Sequence, residues 1–146
     1  MSAMTFSHVA LNCRDLAATE RFYQQHLGFQ LVRRIDLEDS SIVFLRLGDV
    51  RLELFQSQED RPDEHSDGPA RVGVRHLAFQ VDDLDTALSR LGSAAQLTLG
   101  PLDFDSFIPG WRSAWLTDPD GRVIEISQGY ADDPAPSSSL SKEAQP

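Results

Sequence analysis

Along this chain, short apolar runs alternate with helical patterns, and the order occurs twice. Thr5 to Cys13 (TFSHVALNC) predicts a strand that ends at Arg14-Asp15. Asp15 predicts a helix N-cap, followed at helical spacing by Leu16, Ala17, Glu20, Phe22, Tyr23 and Leu27, with Gly28 at the C-cap. Phe29 to Leu37 predicts a second strand, with Phe29, Leu31, Ile35 and Leu37 alternating on one side. Ser41 to Leu47 predicts a third, Gly48-Asp49 a hairpin turn, and Val50 to Gln56 a fourth strand. The stretch from Ser57 to Arg71 is polar and acidic with two prolines and predicts a linker without helix or strand.

The pattern then restarts. Gly73 to Val81 predicts a strand, and Asp82 to Leu91 a short helix with Leu84, Ala87, Leu88 and Leu91 on one face. Ala95 to Leu99 predicts a strand, and Pro101 to Trp111 a loop carrying Phe104, Phe107, Ile108 and Trp111. Arg112 to Thr117 and Arg122 to Gln128 predict the last two strands, joined by an Asp118-Pro119-Asp120-Gly121 turn. The segment ADDPAPSSSLSKEAQP predicts a disordered tail. The organisation expected is one domain, residues 1–130, with modules at about 4–56 and 73–130, an acidic linker at 57–72 and a tail at 131–146. The fold class is α+β, a duplicated β-α-β-β-β unit.

Chemistry enters through the repeat. His8 and the residues up to Asp15-Leu16 align with His76 and the residues up to Asp83-Leu84, while Arg51-Leu-Glu53-Leu aligns with Val123-Ile-Glu125-Ile. Strand side chains alternate between faces, so each half sets one His and one Glu opposite large apolar residues. A carboxylate in an apolar strand is costly unless it is paired or bound to a metal. Two imidazoles and two carboxylates at equivalent positions suit one divalent ion, Ni²⁺, Zn²⁺, Co²⁺, Mn²⁺ or Fe²⁺, with positions left open for water or substrate. His8, Glu53, His76 and Glu125 are therefore the candidate metal ligands.

Asn12 and Gln80 are equivalent carboxamides on the same faces and are candidate substrate contacts, as is Arg51 beside Glu53. Phe104, Phe107 and Trp111 are candidates to line or cover a pocket. The bland readings go to His26 near a helix end, His65 in the acidic linker, and Cys13, a buried filler.

Charge and composition narrow the partners. The chain has 146 residues and a net charge of −10, which disfavours nucleic acid. It has one cysteine, in keeping with a reducing cytoplasmic setting. The first residues carry no signal-peptide pattern, and no apolar run approaches the ~20 residues of a membrane span.

The motifs SHVALNCRDL, FYQQHLGF, LELF, RHLAFQVDDL and TDPDGRVIEI resemble the vicinal oxygen chelate superfamily, which includes glyoxalase I, methylmalonyl-CoA epimerase and the extradiol dioxygenases. The resemblance covers residues 4–130 or so and implies two modules whose strands form an open barrel around a metal. It places His8, Glu53, His76 and Glu125 on family ligand positions, a set most similar to glyoxalase I, and implies a homodimer. Asn12 and Ser57 stand where glutathione-using enzymes commonly carry Arg and Asn, which argues against a glutathione adduct.

The reaction implied is a lyase or isomerase step. A proton moves next to a carbonyl through a metal-bound enediolate, with Glu125 or Glu53 as the base and Glu125 favoured by its neighbouring aromatic loop. The partner is a small molecule with vicinal oxygens. The alternatives are an epimerase of acyl-CoA type substrates, an extradiol-type dioxygenase, and a non-catalytic binder.

Overall fold

The computed structural model describes residues 3–63 and 67–137. Its elements run β1 (Val9–Cys13), α1 (Leu16–Leu27), β2 (Gln30–Asp36), β3 (Ser41–Leu47) and β4 (Val50–Gln56) in the first half. The second half holds β5 (Leu77–Gln80), α2 (Leu84–Leu91), a 3₁₀ turn (Gly92–Ala94), β6 (Leu97–Asp103), β7 (Arg112–Thr117) and β8 (Val123–Gln128). The two sheets share one topology, β1-β4-β3-β2 and β5-β8-β7-β6. In both, the first and last strands are parallel and the other pairs antiparallel. The fold is α+β, two β-α-β-β-β modules, as the repeat predicts.

The helices form where caps and apolar spacing agree. The Asp15 carboxylate accepts from the Ala18 N–H and the Asp83 carboxylate from Thr86, so each helix start has a donor satisfied. Gly28 closes α1 in the left-handed conformation, at φ 78°. Leu16, Phe22 and Tyr23 of α1 and Leu84 and Leu91 of α2 are buried. They join Leu45, Leu52 and Leu54 from one sheet and Leu116, Ile124 and Ile126 from the other in a single core. Phe29 and Phe79 meet edge to face at 5.9 Å, so the core crosses from one module to the other.

A polar clasp reinforces that crossing. The Tyr23 hydroxyl donates to Asp118 at 2.8 Å and the Thr19 hydroxyl to Asp120 at 2.7 Å. Arg14 donates its backbone N–H to Asp120 and its guanidinium to the Pro119 carbonyl, each at 2.7 Å. Arg122 pairs with Asp118 and reaches the Asn12 carbonyl at 2.8 Å. The DPDG turn is thus docked on α1, with Tyr23, Thr19, Asp118 and Asp120 all buried.

Several boundaries differ from the sequence expectation. The first strand starts at Val9 and not Thr5, because its pairing with β4 begins at Val9 opposite Leu52. The strand expected over Gly73 to Val81 is only Leu77–Gln80, and the helix expected from Asp82 starts after the Asp83 cap. Conversely β6 runs on to Asp103, into the segment read as loop, because Leu102 and Asp103 pair with β7. The one-sided alternation expected of Leu31, Ile35 and Leu37 does not hold: a bulge between Leu31 and Arg33 sets Leu31 opposite Leu45 and Ile35 opposite Ile42, on different faces, and Leu37 lies beyond the strand. All three are exposed, on or beside an edge strand. The expectation for His65 and for residues 138–146 of the tail lies outside the described residues; residues 131–137 carry no helix or strand. No helix among the described residues is long and apolar enough to cross a membrane.

Candidate metal centre

Each module pairs its own His with its own Glu. Glu53 lies in the middle of β4 opposite Ala10 on β1 and Phe44 on β3. His8 precedes β1, and its Nε2 is 2.7 Å from the Glu53 carboxylate. Glu125 lies in the middle of β8 opposite Ala78 on β5 and Trp115 on β7. His76 precedes β5, and its Nε2 is 2.9 Å from the Glu125 carboxylate. The repeat-equivalent register explains why the same pair forms twice.

The back of each ring is also occupied. The Ser7 hydroxyl lies 2.8 Å from His8 Nδ1, and the Asp67 carboxylate 2.8 Å from His76 Nδ1. Burial works to raise the Asp67 pKa, but hydrogen bonds from His76 and Arg75 outweigh it and hold the carboxyl below its ordinary range. His76 therefore stands between two carboxylates. A neutral imidazole that donates from Nδ1 to Asp67 turns its Nε2 lone pair toward Glu125, and two lone pairs at this distance require a positive charge between them. A proton or a metal ion meets that requirement, so the donors fit a divalent cation.

The Glu125 surroundings contain residues that the sequence reading missed. Ser113 is buried and its hydroxyl donates to Glu125 Oε1 at 2.6 Å. Its oxygen lies 3.0 Å from the Ser127 hydroxyl, which accepts the Trp111 indole N–H at 3.0 Å. Since Ser113 has one proton and spends it on the carboxylate, Ser127 donates to Ser113. The chain Trp111, Ser127, Ser113, Glu125 ties the aromatic loop to the carboxylate. Ser127 on the face of Glu125 was a visible signal; Ser113 was not, because it depends on the β7–β8 register. Trp115 adds a buried indole N–H with no partner.

The remaining candidates separate. Asn12 is exposed and lines the cleft between the modules, together with His76. Gln80, its repeat equivalent, sits instead in a shallow depression at the start of α2 beside Asp83 and Thr86. Arg51 is exposed on β4, opposite Arg46 in register. Phe104 packs on Trp111 at 4.9 Å and on Trp115 at 6.2 Å, whereas Phe107 is 78% exposed. Cys13 is buried, and burial, with help from the Asp120 charge, pushes its thiol up to about 11. It is a filler and not a nucleophile.

The four candidate ligands remain two pairs. Among the described residues, no three His, Cys, Asp or Glu side chains are gathered closely enough to hold one ion. One chain presents two separate His–Glu pairs.

Residues 5–126 match the model of the glyoxalase/bleomycin resistance protein/dioxygenase superfamily. The uncharacterized protein YaeR of Escherichia coli is 34% identical over 82% of this chain and 92% of its own length. A lactoylglutathione lyase of Pseudomonas aeruginosa is 30% identical over 84% of this chain and 81% of its own. Among solved structures, a glyoxalase family protein from Enterococcus faecalis superposes with a TM-score of 0.66 at 31% identity, covering 84% of this chain and 96% of that one. A glyoxalase/dioxygenase from Nostoc punctiforme, at 24% identity and a TM-score of 0.67, shares the fold.

Proposed function

The chain belongs to the glyoxalase/bleomycin resistance protein/dioxygenase superfamily, and from that premise we propose that it is a metal-dependent lyase or isomerase that moves a proton beside a carbonyl. The observation that carries this reading is the twice-repeated His–Glu pair, His8 with Glu53 and His76 with Glu125. These four residues would hold one divalent ion. When bound, the ion supplies Lewis acidity toward vicinal oxygens of the substrate.

We assign the complete site to a cytoplasmic homodimer, in which His8 and Glu53 of one chain meet His76 and Glu125 of a second copy. The half-sites are each incomplete. The edge strands β2 and β6 also leave Leu31, Ile35, Leu97, Leu99 and Leu102 exposed, apolar surface of the kind a second chain buries.

Hydrogen bonding divides the carboxylates by role. Glu125 is clamped by Ser113 and His76, which suits a fixed ligand. Glu53 has His8 as its only partner among the described residues, which leaves one oxygen open to take a proton from carbon and return it. The sequence favoured Glu125 as base for its aromatic neighbours; the hydrogen-bond partners favour Glu53. The proton transfer needs no oxidant.

Elemental analysis of protein purified without chelator, with sedimentation before and after metal removal, tests this reading. One divalent ion per chain, lost on His8→Ala or on His76→Ala alone, is the expected result. Metal-free, fully folded protein would overturn it. A screen of hemithioacetals, acyl-CoA epimers and catechols then sorts the substrate.

A further inference from the structure

We infer that the cleft between the two modules binds a carboxylate or phosphate group, and that the substrate is a small molecule carrying such a group away from its reacting carbonyl. The cleft has a volume of about 560 Å³ and runs from the linker, residues 57–63, across the open edge of β1 to His76 and the start of β8. Consecutive residues Val9 to Asn12 line it, so it is the unpaired strand edge, with its outward N–H groups, that faces the space. That volume suits a small metabolite.

Its charge runs against that of the chain. The protein carries −10, yet Arg14, Arg61, Arg71, Arg75 and Arg122, five of its thirteen Lys and Arg residues, line this one cleft. Arginine is the side chain whose planar fork matches carboxylate and phosphate oxygens.

The acceptors in the walls are already engaged. Asp120 accepts from the Arg14 N–H on one oxygen and from Thr19 on the other, and Glu59 pairs with Arg61 at 3.0 Å. The donors are not all engaged. Arg71 has no hydrogen-bond or ion-pair partner among the described residues, whereas the Arg14 Nε–H is sealed from solvent beside the Asp120 carboxylate, at 3.9 Å. A guanidinium without a counter-charge in the wall of a cavity suits an acceptor from outside the chain. Such donors gather anions and are of little use for neutral or cationic ligands.

His76 lines the same cleft. A ligand held at Arg14 and Arg71 therefore extends along β1 toward the His76 and Glu125 pair. The assignment of that ligand as substrate rests on the function proposed above; the anion site itself does not.

The test is titration of the full-length protein with inorganic phosphate and, separately, with succinate at low ionic strength, followed by calorimetry and by arginine Nε–H NMR. Saturable binding that shifts the Arg71 resonance is expected. It should weaken by about tenfold or more in Arg71→Ala, as for loss of one charge-assisted contact. Arg71→Lys should recover part of it, and Arg33→Ala, on the exposed β2 strand, should leave it unchanged. Binding of phosphate alone marks a phosphate ester as substrate, and of succinate alone a carboxylic acid. Absence of saturable binding, or equal weakening in Arg71→Ala and Arg33→Ala, overturns the inference. Metal content measured on the same samples separates the two readings. Arg71-dependent anion binding in protein that takes up no metal keeps the cleft and removes the metalloenzyme. Metal uptake without anion binding does the reverse.

Discussion

The two modules share one topology and one His–Glu pair, yet they hold their carboxylates differently. In the second half Trp115 lies opposite Glu125, and Ser113 and Ser127 form the next pair on the same face. In the first half Phe44 lies opposite Glu53, and the next pair on that face is Ile42 and Phe55. Hydroxyls in one half thus correspond to hydrocarbon in the other. One carboxylate is clamped through Ser113, and the other has its histidine as its one partner among the described residues. The imidazoles differ in the same direction, with the Asp67 carboxylate behind His76 and the Ser7 hydroxyl behind His8. The duplicated scaffold keeps the His–Glu pair in both halves and differs in what supports it, so two equivalent glutamates have unequal hydrogen-bond partners.

The sharpest way to break this comparison is to exchange amide for carboxylate in each half. Glu53→Gln should lower turnover by about 10²–10⁴-fold while keeping most of the bound metal, as expected for loss of a general base. Glu125→Gln should instead lose metal. The opposite pattern, in elemental analysis and steady-state rates, would return the base to Glu125.

The turns differ as much as the sites. The β7–β8 turn is docked through Asp118 and Asp120, whereas the β3–β4 turn, Gly48-Asp49, is exposed. Asp118→Ala strips the Tyr23 hydroxyl of its acceptor and leaves Arg122 only the longer pair to Asp120, at 3.6 Å. It should cost about 3–5 kcal/mol in urea unfolding. Asp49→Ala should stay within about 0.5 kcal/mol. Equal effects would show that the clasp does not hold the modules together.

Smaller still is the support given to Glu125. Ser113→Ala removes the hydroxyl that fixes its carboxylate and should weaken metal binding by about 10–100-fold, the usual scale for a group that orients a ligand. Ile42→Ala, at the equivalent place in the first half, should leave metal affinity alone. If the two variants weaken it equally, the asymmetry is structural only.

How much of this was legible beforehand depends on range along the chain. The duplication, the cap at Asp15 and the four candidate ligands follow from local pattern; the second helix was expected too early, from Asp82, ahead of its cap at Asp83. β6 was read short because Gly100-Pro101 looks like a break; proline is tolerated there because β6 is an edge strand. The two faces and the exposure of Leu31 and Ile35 were hidden, because alternation in the sequence shows neither a bulge in the ladder nor what covers a face. Asp118-Pro119-Asp120-Gly121 spells a turn whether it is solvated or docked, so the clasp was invisible. Ser113 needed the strand register, and the Arg14 and Arg71 cleft needed the packing of both modules. The four ligands look like one site in the sequence because the repeat shows equivalence; it carries no distance, and in space they are two pairs.

The joint between the halves gives the last test, through pH. Cys13 and Tyr23 belong to the first module, but acids of the second help to set their protonation. Burial is the larger cause in both, and the Asp120 charge for Cys13 and the Asp118 charge for Tyr23 act in the same direction. The thiol rises from 9.0 to about 11 and the phenol well above 10.0. A raised pKa in the folded chain means that the unfolded chain sheds its proton first. The stabilisation is therefore complete below pH 9 and is lost as pH climbs, first through the Cys13 window and then through that of Tyr23. Each group contributes a slope of about 1.4 kcal/mol per pH unit within its window. Urea midpoints measured from neutral to alkaline pH should fall beyond pH 9, and Cys13→Ala should delay the onset to about 10, where Tyr23 takes over. An onset that Cys13→Ala leaves in place would mean that the thiol does not carry the alkaline loss, and that the acids of the β7–β8 turn hold the modules together without reaching the group behind them.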